Sequence, residues 1–194
     1  SKIFVATGNL DEGAKFLRKS GRYEHDIAAF LVRHGQRDQG LALYHKILDD
    51  PKSAESKRWN VFTRLCRGGD FDQVMKLGDK YLDGFTKVSP KRITTLLVFF
   101  SRGYMGPYYV SYDSRAHPRF IVWLAGKLLP YEALSSKDRL RISGHLINAH
   151  LDLRKLAEAA AAAKAVVANE IFKVSEREQY KLIASVIDRK TEVS

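Results

Sequence analysis

Residues 31–50 read LVRHGQRDQGLALYHKILDD, and 34 positions later residues 65–84 read LCRGGDFDQVMKLGDKYLDG. Nine of the twenty aligned positions are identical: Leu31–Leu65, Arg33–Arg67, Gly35–Gly69, Asp38–Asp72, Gln39–Gln73, Leu43–Leu77, Lys46–Lys80, Leu48–Leu82 and Asp49–Asp83. A period of 34 is the length of one helix–turn–helix unit. Such a unit cannot bury its apolar faces alone and has to stack on a neighbour. The repeat therefore predicts an all-α chain of antiparallel helix pairs, stacked as a short right-handed α-solenoid.

The pattern inside each unit agrees. Gly35 and Gly69 follow apolar stretches, where a glycine adopts the left-handed conformation that ends a helix. An acidic residue then opens a second amphipathic segment. Leu41, Tyr44, Ile47 and Leu48 recur at helical spacing in the first unit, and Val74, Leu77, Tyr81 and Leu82 in the second.

Across residues 22–84 the chain resembles the tetratricopeptide family. That family places a small residue between its helices, a second small residue five positions on, an aromatic nine on, and a proline after the second helix. Gly35, Gly40, Tyr44 and Pro51 follow this order, the proline one position early. The second unit keeps Gly69 but carries Val74 and Gly78 at the small and aromatic positions, and neither unit has the family's early tryptophan. Pentatricopeptide RNA-binding proteins have nearly the same period. The stretch LRKSGRYEHDIAAFLVRHGQRDQGLALY (17–44) also resembles the solenoids of vesicle-coat and tethering subunits. The resemblance implies helical repeats and leaves the family open.

Further along, the periodicity predicts helices at 10–21, 22–34, 37–48, 55–67, 70–82, 89–103, 118–129, 135–153, 155–170 and 175–190. Gly21 ends the first. Ser89 and Pro90 open the sixth, Pro118 the seventh, and Ser135 or Ser136 caps the eighth. Ser175 followed by Glu178 reads as a capping box for the tenth. The expected organisation is one domain over 1–194. Its repeats lie at 22–51 and 55–84, an irregular aromatic insertion at 103–117, and C-terminal helices at 118–190. Gly106-Pro107 breaks the register inside the insertion, and 108–112 is the one candidate extended run. The alanine run 159–163 reads as the inner helix of the last pair.

The net charge of +11 is uneven: residues 51–150 carry 17 basic and 8 acidic groups, nine of the eleven excess charges. Such a concentration attracts phosphate or an acidic protein face. Cys66 is the only cysteine, which excludes an intrachain disulfide and fits a reducing intracellular compartment, cytoplasm or mitochondrial matrix alike. The longest apolar run, near 93–101, is too short for a membrane span. Residues 1–22 include Asp11 and Glu12 and no signal-peptide apolar stretch, so no secretory or transit segment is expected in them. The first residue is Ser, which leaves open that residues were removed ahead of it.

No motif for chemistry accompanies the repeats. There is no phosphate-binding glycine loop, dinucleotide fingerprint or nucleophile elbow. His145 and His150, five apart, do not match the spacing of a paired zinc site, and Cys66 reads as a core residue. The expectation is a nonenzymatic chain with no cofactor and no metal, binding protein partners as a scaffold or adaptor subunit of a larger assembly. The alternative is an RNA-associated repeat protein. It rests on residues 99–123, where Phe99, Phe100, Tyr104, Tyr108, Tyr109, Tyr112, Phe120 and Trp123 interleave with Arg102, Arg115 and Arg119. Aromatic faces stack on bases while guanidinium groups meet phosphates. The competing reading is that these aromatics fill the gap where the register breaks. The candidate partner- or nucleic-acid-binding residues are Lys91, Arg92, Arg102, Tyr108, Tyr109, Tyr112, Arg115 and Arg119.

Overall fold

The computed structural model describes residues 9–21, 23–67, 71–88, 90–97 and 117–192. Among them it is all-α, with ten helices and no strand. In chain order these are α1 (Leu10–Lys19), α2 (Glu24–Arg33), α3 (Arg37–Asp49), α4 (Glu55–Arg67), α5 (Phe71–Val88), α6 (Pro90–Leu97), α7 (Pro118–Leu128), α8 (Ser136–Asp152), α9 (Leu156–Ala168) and α10 (Val174–Glu192). The chain divides into two compact units, Ser1–Gly68 and Gly69–Ser194. The second repeat therefore has α4 in one unit and α5 in the other. Gly69, the candidate extended run 108–112 and the insertion up to residue 116 lie outside the described residues.

In the first unit, α2 packs on α1, α3 and α4, and α3 also packs on α4. Asn9 caps α1, its side-chain oxygen accepting from the Glu12 amide at 3.2 Å. Gly21 and Gly35 take φ values of +75° and +94°, so both stop signals act as glycine chemistry requires. After Gly35 the Gln36 amide returns to the Leu31 carbonyl at 3.0 Å, the long bond that closes a helix C-terminus. Asp50 organises the next connection by accepting from the Lys52 amide at 2.9 Å and the Ser53 hydroxyl at 3.2 Å.

Gly40 explains how closely α2 and α3 approach. A Cβ built there would stand 2.7 Å from the Ala28 carbonyl oxygen and 3.0 Å from the Val32 amide nitrogen. Only glycine fits, which gives a physical meaning to the small residue five positions after Gly35. The core between α1 and α2 holds Ala14, Ile27, Phe30 and Leu31, with Leu43 of α3 packed against it. Cys66 is buried in α4, as its position on the apolar side predicts.

In the second unit, α7 packs on α5 and α8, while α9 packs on α8 and α10. Pro118 opens α7 as expected. Ser135, not Ser136, caps α8: its hydroxyl accepts from the Asp138 amide at 3.1 Å and donates to the Asp138 carboxylate at 2.6 Å. One side chain spans the α7–α8 connection, beside the backbone bonds from Tyr131 to Leu128 and from Leu134 to Tyr131. Arg139 donates to the carbonyls of Leu129 at 2.5 Å, Tyr131 at 2.6 Å, Leu134 at 3.2 Å and Glu132 at 3.3 Å. The alanine run supplies the inner helix of the last pair, with Ala159, Ala160 and Ala163 buried among Ile147, Ala184 and Ile187.

Most described helix ends fall within two residues of the sequence reading, and two departures have a physical reason. α5 continues six residues beyond 82, to Val88. Nothing in DGFTKV forbids this, because the one interior glycine, Gly84, costs only about 1 kcal/mol. Only the returning half of a capping box forms at the start of α10, two residues early, because Lys173 at the cap has no side-chain acceptor. The Glu176 carboxylate accepts from the Lys173 amide at 2.9 Å, so the returning acid is Glu176, and Ser175 and Glu178 lie inside the helix. Buried Phe172 fixes that entry point. Among the described residues no helix is long and apolar enough to cross a membrane.

Candidate interaction surface

Three of the eight candidate residues fall within the described chain. Lys91 and Arg92 stand in the first turn of α6, where the Arg92 side chain is half-buried. Arg119 stands in the first turn of α7 and is exposed. Arg102, Tyr108, Tyr109, Tyr112 and Arg115 lie outside the described residues, as do Phe99, Phe100 and Tyr104.

The two described aromatics of that segment both make contacts with α5. Phe120 is buried, with ring centroids 4.4 Å from Phe71 and 5.8 Å from Trp123. The Trp123 indole N–H donates to the Asp79 carboxylate at 2.9 Å, and the Lys127 ammonium sits 3.2 Å from the same oxygen. The bond from Trp123, then Lys127, holds the Asp79 carboxyl below its ordinary range. Phe120 and Trp123 thus join α7 to α5, and buried Phe120 offers no open face on which a base could stack, whereas Trp123 is half-buried.

Large exposed apolar side chains stand elsewhere. In the first unit they are Phe16 on α1 and Tyr23, 68% exposed, at the entry to α2. Tyr23 lies flat against His25, with ring centroids 5.4 Å apart and planes 7° from parallel. Beneath them Arg64 of α4 meets Asp26 of α2 at 2.7 Å, with the His25 Nε2 at 3.8 Å from the same carboxylate oxygen. Burial lowers the His25 pKa, and the nearby Arg64 and Lys57 charges act in the same direction against Asp26. Burial also pushes the Tyr44 phenol up to about 12. The Asp26–Arg64 pair thus joins α2 to α4, and His25 beside it is the ring on which Tyr23 stacks.

In the second unit, Ile171, Val174, Leu182 and Val186 are exposed around the start and along the outer side of α10. A groove of about 320 Å³ runs beside them between α9 and α10, lined by Val167, Ala168, Ala184 and Ser185, with Lys164, Lys181 and Asp188 also on its wall. The Lys164 ammonium bridges to Asp188 at 2.9 Å. The sequence reading missed this surface, although a signal was present. Leu182-Ile183 and Val186-Ile187 are apolar doublets four residues apart. Neighbouring helical positions diverge by about 100°, so both members of a doublet cannot face the same core.

Among the described residues no group of three or more His, Cys, Asp and Glu side chains is placed to hold a metal ion. No protein-family model, no curated protein and no solved structure matches this chain.

Proposed function

We propose that the chain is a noncatalytic interaction protein, a scaffold or adaptor subunit that holds protein partners within a larger assembly. The observation that carries this is that large apolar side chains stand exposed on each unit: Phe16 and Tyr23 on one, and Ile171, Val174, Leu182 and Val186, the last two one helical turn apart, on the other. Apolar side chains gathered on a surface mark protein contacts more often than scattered ones do. Tyrosine is also enriched where binding energy concentrates. The 34-residue repeat and its resemblance to tetratricopeptide proteins support the same reading.

The test is to replace Phe16 and Tyr23 together with Ser and measure partner retention per folded molecule. Both side chains are exposed, so helicity is expected to stay unchanged while retention falls. Unchanged retention would remove this surface from the account. A second reading, RNA association, is favoured by the nine excess positive charges of residues 51–150 and by exposed Arg119. It expects binding to single-stranded RNA that weakens steeply with salt and loses part of that slope in Arg119→Ala.

A further inference from the structure

We propose that the outer side of α10 is a contact between two copies of this chain, packed antiparallel about a two-fold axis. The proposal rests on reading the chain as an interaction protein and names the partner for one of its surfaces. The inner side of α10 is committed to α9 and α8 through Ala184 and Ile187. The opposite side carries Glu178, Leu182, Val186 and Arg189, at spacings of four, four and three that keep them on one strip. Leu182 is 66% and Val186 48% exposed. The strip is thus acidic at one end, apolar in the middle and basic at the other.

That order is self-complementary in one orientation only. Laid antiparallel, Leu182 of each copy meets Val186 of the other, and Glu178 meets Arg189. The midpoint of the apolar pair falls at position 184 and that of the charged pair at 183.5, so a single axis serves both. A parallel copy would set Glu178 beside Glu178 and Arg189 beside Arg189. In the present chain Glu178 has Lys181 at 3.7 Å, both side chains about two-thirds exposed, and a pair this open holds a carboxylate only weakly.

Charge also favours a second copy over an acidic partner. Residues 174–192 carry four basic and four acidic groups, and residues 151–194 carry eight and seven. Two copies can meet here without the repulsion that the basic middle of the chain would impose. An acidic protein would be drawn to residues 51–150 instead.

A contact through one helix per copy belongs with interfaces below about 1,200 Å², which are weak, so the expected dissociation constant is about 10–100 μM. Sedimentation velocity on the full chain, over about 1–300 μM to bracket that constant, should show a concentration-dependent shift from monomer to dimer. Glu178→Arg and Arg189→Glu should each weaken the dimer by about tenfold or more, and the double swap E178R/R189E should restore it. Leu182→Glu should abolish it with helicity unchanged. A monomer across the whole range, a dimer indifferent to the single swaps, or a double swap no better than either single would overturn the proposal. A monomeric chain that still binds its protein partner would refute this contact and leave the interaction reading standing. A dimer with these swap effects that binds no other protein would support the contact and refute that reading.

Discussion

Gly40→Ala isolates the closest helix approach in the first unit. The new Cβ would lie 2.5 Å from Val32 Cγ2, 2.7 Å from the Ala28 carbonyl oxygen and 3.0 Å from the Val32 amide nitrogen. The valine methyl can rotate away. The carbonyl and amide belong to the α2 backbone and move only if the helix moves. Bringing 2.7 Å to ordinary contact separates the helices by roughly 0.7 Å, which loosens every neighbouring contact. Overpacking of this kind costs about 1–3 kcal/mol, and a clash with unyielding backbone takes the upper part of that range, about 2–3 kcal/mol. Against it, alanine is better than glycine in a helix interior by about 0.8–1 kcal/mol. The clash wins, with a net loss of about 1–2 kcal/mol and a melting temperature lower by about 2–8 °C. Gly126→Ala in α7 is the control, since a Cβ there meets nothing within 4 Å. Propensity alone then acts, and stability should rise by about 0.5–1 kcal/mol. Urea titrations of both variants beside the parent should give opposite signs. A Gly40→Ala variant as stable as the parent would refute the close-approach argument.

Three further outcomes follow from named contacts. Arg139→Ala removes a donor from four carbonyls, of which Tyr131 keeps the Leu134 amide at 3.1 Å, and should destabilise by about 2–3 kcal/mol in a urea titration, with Arg139→Lys recovering less than half because an ammonium lacks the planar fork. His25 and His150 have buried Nδ1 atoms without hydrogen-bond partners among the described residues, and burial lowers both pKa values below 6.5. Above pH 6.5 both states are neutral and nothing changes; as pH falls below it the unfolded chain takes up protons first and stability drops. Melting temperatures measured from about pH 7.5 to about 5.5 should fall, and His25→Leu with His150→Leu should flatten that fall. Arg154, the one described non-glycine residue at positive φ (58°), should tolerate Arg154→Gly with a gain of about 0.5–1 kcal/mol in a urea titration.

Where a stop or start depends on a residue's own chemistry, the sequence was legible. Gly21, Gly35, Pro118 and Ser135 act as their residue types predict. Where another part of the chain decides, it was not. Arg154 ends α8 in a left-handed conformation that nothing in its side chain advertises, with the Lys155 amide closing on the His150 carbonyl at 2.8 Å. The α10 cap depends on where buried Phe172 anchors the chain, so Glu176 takes the role that spacing gave to Glu178. The candidate site was less legible than the fold. Phe120 and Trp123 fit a binding segment by composition, yet their partners, Phe71 and Asp79, are more than forty positions away. The outer strip of α10 lay hidden in apolar doublets until the inner member of each was seen against α9.

The central claim is that this chain works by holding other proteins. The most direct measurement is the mass of the assembly isolated intact, after nuclease treatment, from the cells that make it. The interaction reading expects a discrete, stoichiometric complex containing a second kind of protein, heavier than two chains of 22.0 kDa. A bare chain or its dimer alone, or a complex that exists only until nucleic acid is digested, would contradict it.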